Sequence, residues 1–239
     1  MKILATLIYI IVQILFIPFA IVGAIFVFVR QTYTSKRLGV SGTAIEIING
    51  RWTMDLFGIR EDKASGQLAW ALPNNSLIGM WMALFPLWLR HKISGDLWLY
   101  PTVKARGKEG LANLVINRTL YFDEVINRAV GHTEQFVTMG AGFDTRSYGV
   151  FKEAQWKCFE LDQEKTQNLK IEQLKHADID ADHVTFVTVD FQTESWSDKL
   201  KAAGYDPSKK TIFLWEGVTL YISEQDVRHT LRELKVNAP

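Results

Sequence analysis

The sequence predicts an α/β fold, a parallel sheet with helices on both faces, behind an apolar N-terminal helix that spans a membrane. Three observations predict it. Residues 3–29 carry no formal charge. Beyond residue 110, short strand-like runs alternate with helical ones, the order that builds a parallel sheet. The strand-like runs end on glycine or an acid, where open parallel sheets bind their ligands.

Composition narrows the function classes. The 27 Lys+Arg balance 26 Asp+Glu, which argues against a broad electrostatic footprint for nucleic acid. The single cysteine, Cys158, excludes an internal disulfide and fits a reducing compartment. Eight Trp and fourteen Phe are many for 239 residues. Several of them fall in the first hundred residues and suggest an apolar surface near a bilayer.

The run from Ile3 to Val29 would form a helix about 40 Å long at ~1.5 Å per residue. That exceeds a hydrocarbon core of ~30 Å, so it spans with tilt. Pro18 predicts a kink. The apolar region of a signal peptide runs for only ~7–15 residues. Arg30, Lys36 and Arg37 follow the run and only Lys2 precedes it. The positive-inside bias then gives a single-pass protein with its C-terminal domain in the cytoplasm. A second apolar stretch, residues 76–89, is too short to span comfortably. Its Trp81 and Trp88, followed by Arg90, His91 and Lys92, suit an interfacial segment; a buried cap helix over the C-terminal domain fits equally. The expected organisation is therefore 1–30 transmembrane helix, 31–109 cap or interfacial segment, and 110–239 globular domain.

Leu111, Val115, Arg118, Phe122, Val125 and Ala129 recur at helical spacing and predict one buried stripe. Arg118 within it needs an anion, supplied either by a structural ion pair or by a ligand. Gln135–Met139 reads as a strand and runs into Gly140-Ala141-Gly142-Phe143-Asp144-Thr145-Arg146. Glycines there let a ligand approach the backbone. A dinucleotide loop would want a further glycine where Thr145 stands, so a pyrophosphate is disfavoured. A second strand, 156–161, ends at Asp162, placed to hold ribose hydroxyls. A polar helix follows over 163–177. Strand 184–189 leads to Asp190-Phe191, a helix covers 195–203, and strand 211–215 leads to Glu216-Gly217. Ser223 opens the last helix as a capping box with Asp226, running to about Val236. Each acid alone could be a helix cap or a solvated turn. Together the four strand ends point to a ligand with a ribose and an amine but no phosphate.

Phe136-Val-Thr-Met-Gly-Ala-Gly-Phe-Asp-Thr-Arg146, Phe159-Glu-Leu-Asp162, Val189-Asp190-Phe191 and Trp215-Glu-Gly-Val-Thr-Leu-Tyr221 resemble the leucine carboxyl methyltransferase family, and its bacterial O-methyltransferase branch most closely. The resemblance covers roughly residues 110–239. It implies a Rossmann-like class I methyltransferase sheet and S-adenosyl-L-methionine as cofactor, with no metal. It implies Arg118 on the methionine carboxylate, Gly140, Ala141 and Gly142 beneath the methionine and ribose, and Asp162 on the ribose hydroxyls. Asp190 and Phe191 would meet adenine, Glu216 would lie near the sulfonium and amino group, and Tyr221 would line the acceptor site. Asp144 and Arg146 could equally be structural, locking the first loop. A sheet of this family has seven strands and four are legible, so C-terminal strands are expected to be missing. The expected function is a membrane-anchored O-methyltransferase for a small amphiphilic or lipid-like acceptor bearing a carboxylate or hydroxyl. The alternatives are an inactive interaction module on a membrane and a protein carboxyl methyltransferase.

Overall fold

The computed structural model describes residues 1–103, 107–108 and 110–237. Two compact units divide the chain, Met1–Phe122 and Asp123–Pro239.

The first unit is helical: α1 (Lys2–Val29), a π-helical turn (Arg30–Thr34), α2 (Ser35–Leu38), α3 (Gly42–Leu56), α4 (Lys63–Ala71), α5 (Leu77–Ser94) and the start of α6 (Leu111–Ala129). Local chemistry sets several of these limits. Asp62 accepts from the Ser65 amide and starts α4, and Ser76 accepts from the Gly79 amide and starts α5. Gly39 and Gly95 end α2 and α5 at positive φ. α1 continues as one helix through Pro18. It is long and apolar enough to cross a membrane, with 6% of its most apolar window buried. The 76–89 stretch falls almost wholly within α5, which packs along α1. Gly23 and Gly79 meet so closely that a Cβ on either would lie 2.5 Å from the other's carbonyl oxygen. Phe16 stacks on Phe85, and Arg90 donates to Thr6 Oγ1 at 3.3 Å. The two helices are therefore antiparallel.

The second unit holds β1 (Gln135–Met139), β2 (Lys157–Asp162), α7 (Glu164–His176), β3 (Val184–Thr188), α8 (Trp196–Ala202), β4 (Thr211–Trp215) and α9 (Glu224–Asn237). The four strands are parallel in the order β3-β2-β1-β4. Observed limits lie within about a residue of the sequence expectation because strand and cap signals are local here. Ser195 caps α8 through the Asp198 amide at 3.3 Å. Ser223 and Asp226 form the reciprocal capping box, both bonds at 3.2 Å.

One face of the sheet is apolar. Val137, Met139, Phe159, Leu161 and Val187 pack with Trp196, Leu200 and Tyr205, backed by Phe213 and Leu234. The other face mixes Phe136 and Cys158 with the buried polar residues Thr138 and Glu160. Strand residues alternate between the faces by the pleat.

α6 corrects one expectation. Its buried residues include Ile116, Thr119 and Ile126, a face turned roughly 100° (one residue of a ~3.6-residue turn) from the expected stripe. Val115, Arg118, Phe122 and Ala129 are half-buried and Val125 is exposed; the side chain of Leu111 lies outside the described residues. Hydropathy alone turned Thr119 and Asp123 outward. Thr119 is fully buried, and Asp123 is held inward by an ion pair described below.

Leu200 is fully buried in the apolar layer. Leu200→Ala is expected to cost ~2–5 kcal/mol, read as a lower urea midpoint by circular dichroism; an unchanged midpoint would refute this core assignment.

Candidate active site

Strand register builds the site. Met139 pairs with Leu161 on one side and with Trp215 on the other. The next residue of each strand is then Gly140, Asp162 and Glu216, side by side along the carboxyl edge of the sheet. The Val189 amide donates to the Asp162 carbonyl at 2.9 Å, which carries the edge on to Asp190.

The β1 loop turns through two glycines, Gly140 at φ +66° and Gly142 at φ +50°. The positive φ at Gly140 favours glycine, and a Cβ there would press on the Val218 side chain of the loop after β4. The Ala141 amide donates to the Leu161 carbonyl at 2.9 Å. The Gly142 amide donates to Asp162 Oδ2 at 2.5 Å and the Gln163 amide to Asp162 Oδ1 at 2.7 Å. Burial pushes the Asp162 carboxyl up, and these two amides oppose it. Each carboxylate oxygen retains a further lone pair for a ligand hydroxyl.

Arg146 is fully buried and gathers three carboxylates. Its Nε donates to Asp123 Oδ1 at 2.6 Å, and its Nη1 donates to Asp144 Oδ2 at 2.5 Å and to Glu216 Oε2 at 2.8 Å. Burial works against its charge, but Asp144, Glu216 and Asp123 outweigh it and raise its pKa. This one side chain ties the second half of α6, the β1 loop and the end of β4 together. Glu216, expected beside the cofactor's sulfonium and amino group, thus has one oxygen committed to Arg146.

A second buried pair stands behind the β1 loop. Lys170 of α7 donates to Glu160 Oε2 at 2.5 Å and to the Asp144 carbonyl at 2.6 Å. Burial pushes Glu160 up while Lys170 pulls it down, with a net rise. Gln167 donates to the Glu160 carbonyl at 3.0 Å and accepts from Thr188 Oγ1 at 2.8 Å, linking β2 to β3. Asp123, Glu160, Gln167 and Lys170 escaped the sequence reading. The only signal available was Glu160-x-Asp162, two acids on one face of a strand; nothing in α7 distinguishes Lys170 from a solvated lysine.

The remaining expected residues lie as follows. Asp190 is half-buried and its Oδ1 accepts from the Gln192 amide at 3.0 Å. Phe191 is 9% exposed and belongs to the apolar layer with Trp196. Tyr221 is 56% exposed on the loop after β4, where its carbonyl accepts from Gln192 at 3.4 Å. Arg118 is half-buried on α6, within the first unit. Among the described residues, no three His, Cys, Asp or Glu side chains are grouped to hold a metal ion.

The profile of the leucine carboxyl methyltransferase family matches residues 80–235. The chain belongs to this family. The match begins within α5, earlier than the motifs that first carried the resemblance, so the family segment includes part of the helical unit. Similar proteins bearing the provisional name S-adenosyl-L-methionine-dependent methyltransferase include one from Frankia alni, 31% identical over 50% of this chain and 42% of the relative. Another, from Mycobacteroides abscessus, is 32% identical over 48% of this chain and 38% of the relative. A third, from Mycolicibacterium smegmatis, is 31% identical over 62% of this chain and 47% of the relative. The chain spans about half the length or less of the curated relatives it matches.

Two outcomes follow for this leucine carboxyl methyltransferase family member. Arg146→Gln removes a buried cation shared by three carboxylates and is expected to cost ~3–5 kcal/mol. Asp123→Asn keeps a hydrogen-bonding group and should cost less; equal thermal midpoints for the two variants would contradict the hub role of Arg146. Gly140→Ala should displace the loop after β4, read as altered protection from hydrogen exchange over residues 217–222; an unchanged pattern would show that Val218 gives way freely.

Proposed function

We propose that the protein is an S-adenosylmethionine-dependent O-methyltransferase held at a membrane by α1. The observation that carries the cofactor reading is the row Gly140, Asp162 and Glu216 set by strand register at the carboxyl edge. Its chemistry fits this ligand. Asp162 offers oxygens with a spare lone pair for a ribose diol, fixed by two backbone amides. The edge carries acids, with Asp190 next in line, which favours a cationic ligand over a pyrophosphate.

The bound cofactor supplies an electrophilic methyl group on a sulfonium. Asp162 holds the ribose, and Gly140 to Gly142 let the backbone approach. Asp190 with the rim of Phe191 serves the adenine, and Glu216 holds the amino group in an orientation set by Arg146. Arg118 is assigned to the methionine carboxylate by its motif alone, and Tyr221 to the acceptor side. With the cofactor bound, its methyl group would pass to an acceptor oxygen and its sulfur would leave as a neutral thioether. A carboxylate acceptor is already ionised and needs no base; alignment of the two partners is then the chain's main contribution. The apolar α1 motivates an amphiphilic acceptor.

Calorimetry with S-adenosylmethionine on detergent-solubilised chain tests the reading. Wild type should bind, and Asp162→Ala and Arg118→Ala should each weaken binding at least tenfold. No binding by wild type would overturn the cofactor assignment.

Affinity should also fall on acidification. Ionised Asp162 accepts from ribose hydroxyls through charge-assisted bonds, whereas its protonated form loses that charge and one acceptor position, and burial raises its pKa. The sign for stability is opposite. A carboxyl whose folded-state pKa is raised binds its proton more tightly folded than unfolded, so protonating Asp162 does not itself destabilise the fold. The expected result is weaker binding at mildly acid pH with an unchanged circular dichroism spectrum, and an Asp162→Asn variant whose residual affinity lacks that pH dependence.

A further inference from the structure

We infer that α1 lies in the plane of one membrane leaflet and does not cross the bilayer. This rests on the membrane association proposed above and replaces the single-pass crossing expected from hydropathy.

The reason is what stands beside α1. α5 runs antiparallel along it, from the Gly23–Gly79 contact down to Arg90 beside Thr6. The residues of α5 that meet α1, Gly79, Met82, Phe85 and Arg90, fall on one side of that helix. Trp81, Trp88 and His91 fall on the opposite side by helical periodicity. There they meet α3 and its C-terminal cap: Trp52 packs edge-on against Trp81, which in turn packs on Trp88 within α5, and Phe57 packs against His91. α5 is thus a middle layer between α1, which has no charge from Ile3 to Val29, and α3, which carries Glu46, Arg51 and Asp55.

Asp55 lies between Trp52 and Phe57 along α3. Its Oδ1 accepts from the Asp62 amide at 2.8 Å, and Asp62 forms a buried ion pair with Arg60. Arg51 is buried in the same stretch. The α3 contacts fall along the length of α5 that lines α1 between residues 6 and 23. An upright α1 centres that stretch in the hydrocarbon. It would carry the whole of α5 to the same depth and bring Arg51, Asp55, Arg60 and Asp62 to within about two helix spacings, ~20 Å, of the lipid-embedded axis. Charges at that depth are strongly disfavoured.

Laid flat, the same layers sort by polarity. α1 turns toward lipid the side that α5 leaves uncovered, including Leu7, Ile11, Ile14, Phe19, Val22 and Ile25, each 45% exposed or more. α5 sits above it and α3 stands in water. The charges at the ends of α1 then share one headgroup level: Lys2 with Asp96 at one end, Arg30, Lys36 and Arg37 at the other. Trp98, ringed by Tyr9 and Arg90, sits at the Lys2 end, and Tyr33 at the Arg30 end, as aromatic groups do at membrane interfaces. The excess of cations suits an anionic leaflet. The occupant of the uncovered face is therefore one leaflet of an anionic bilayer.

The test places a cysteine at each end of α1, Lys2→Cys and Lys36→Cys in separate full-length chains; native Cys158 is buried. Each is probed with a membrane-impermeant maleimide in inverted vesicles and in intact spheroplasts of a bacterial host. Both cysteines labelled in inverted vesicles and neither in spheroplasts is the expected result. Labelling of the two ends from opposite sides would overturn the in-plane geometry while leaving membrane association intact. Co-sedimentation of purified protein with phosphatidylglycerol–phosphatidylcholine vesicles separates the other failure. Wild type should pellet, and Ile14→Asp, at the middle of the exposed face, should lose at least tenfold. Wild type that does not pellet refutes membrane association itself. If it is instead a dimer by light scattering that Ile14→Asp makes monomeric, a second copy covers the face and the proposal is wrong.

Discussion

The second unit depends on one buried cation. Arg146 is fully buried, and a lone guanidinium there would be untenable. Three carboxylates from separate segments neutralise it: Asp123 from α6, Asp144 from the β1 loop and Glu216 from the end of β4. The three segments must come together for any of these charges to be tolerated. The cluster is therefore a positional constraint more than a source of net stability, since buried ion pairs roughly offset their own desolvation. It fixes Glu216 against the β1 loop, the relation a ligand on that edge would require.

The sheet shows how this constraint is supported. Its apolar face supplies the burial, with Trp196 and Leu200 filling the space over β1, β2 and β3. Its other face carries Glu160, which Lys170 of α7 meets before reaching on to the Asp144 carbonyl. Asp144 is thus held twice, through its side chain by Arg146 and through its backbone by Lys170. Both attachments hold the loop containing Gly140 and Gly142. The division of labour is physical: apolar contacts are non-directional and give stability, whereas charge-assisted hydrogen bonds have fixed geometry and give position.

The helical unit shows a comparable division between close apolar packing and charge. Gly23 and Gly79 allow α1 and α5 to approach as small residues do between membrane helices. α5 carries aromatic contacts on both faces, to α1 and to α3, and separates the apolar α1 from the charges of α3. The membrane reading therefore rests on the order of the layers as well as on the hydropathy of α1.

The sequence by itself determined the succession of strands and helices along the second unit, their limits, their caps and the acids at their carboxyl ends. Those features are local: alternation, capping side chains and turn glycines act within a few residues. It also showed the Gly-Ala-Gly loop, Asp162 and Glu216 as members of one edge, because a parallel sheet brings its strand ends together whatever the details. The tertiary structure alone decided which face of α6 is buried, since Asp123 turns inward for a cation distant in sequence. It alone decided that Lys170 supports the β1 loop, because a lysine in a polar helix looks the same whether it meets water or Glu160. And it alone set α3 behind α5, the fact that separates a helix able to cross a bilayer from one whose neighbours oppose it. Hydropathy registers what a segment can bury; only the packed neighbours determine what its burial would bring along.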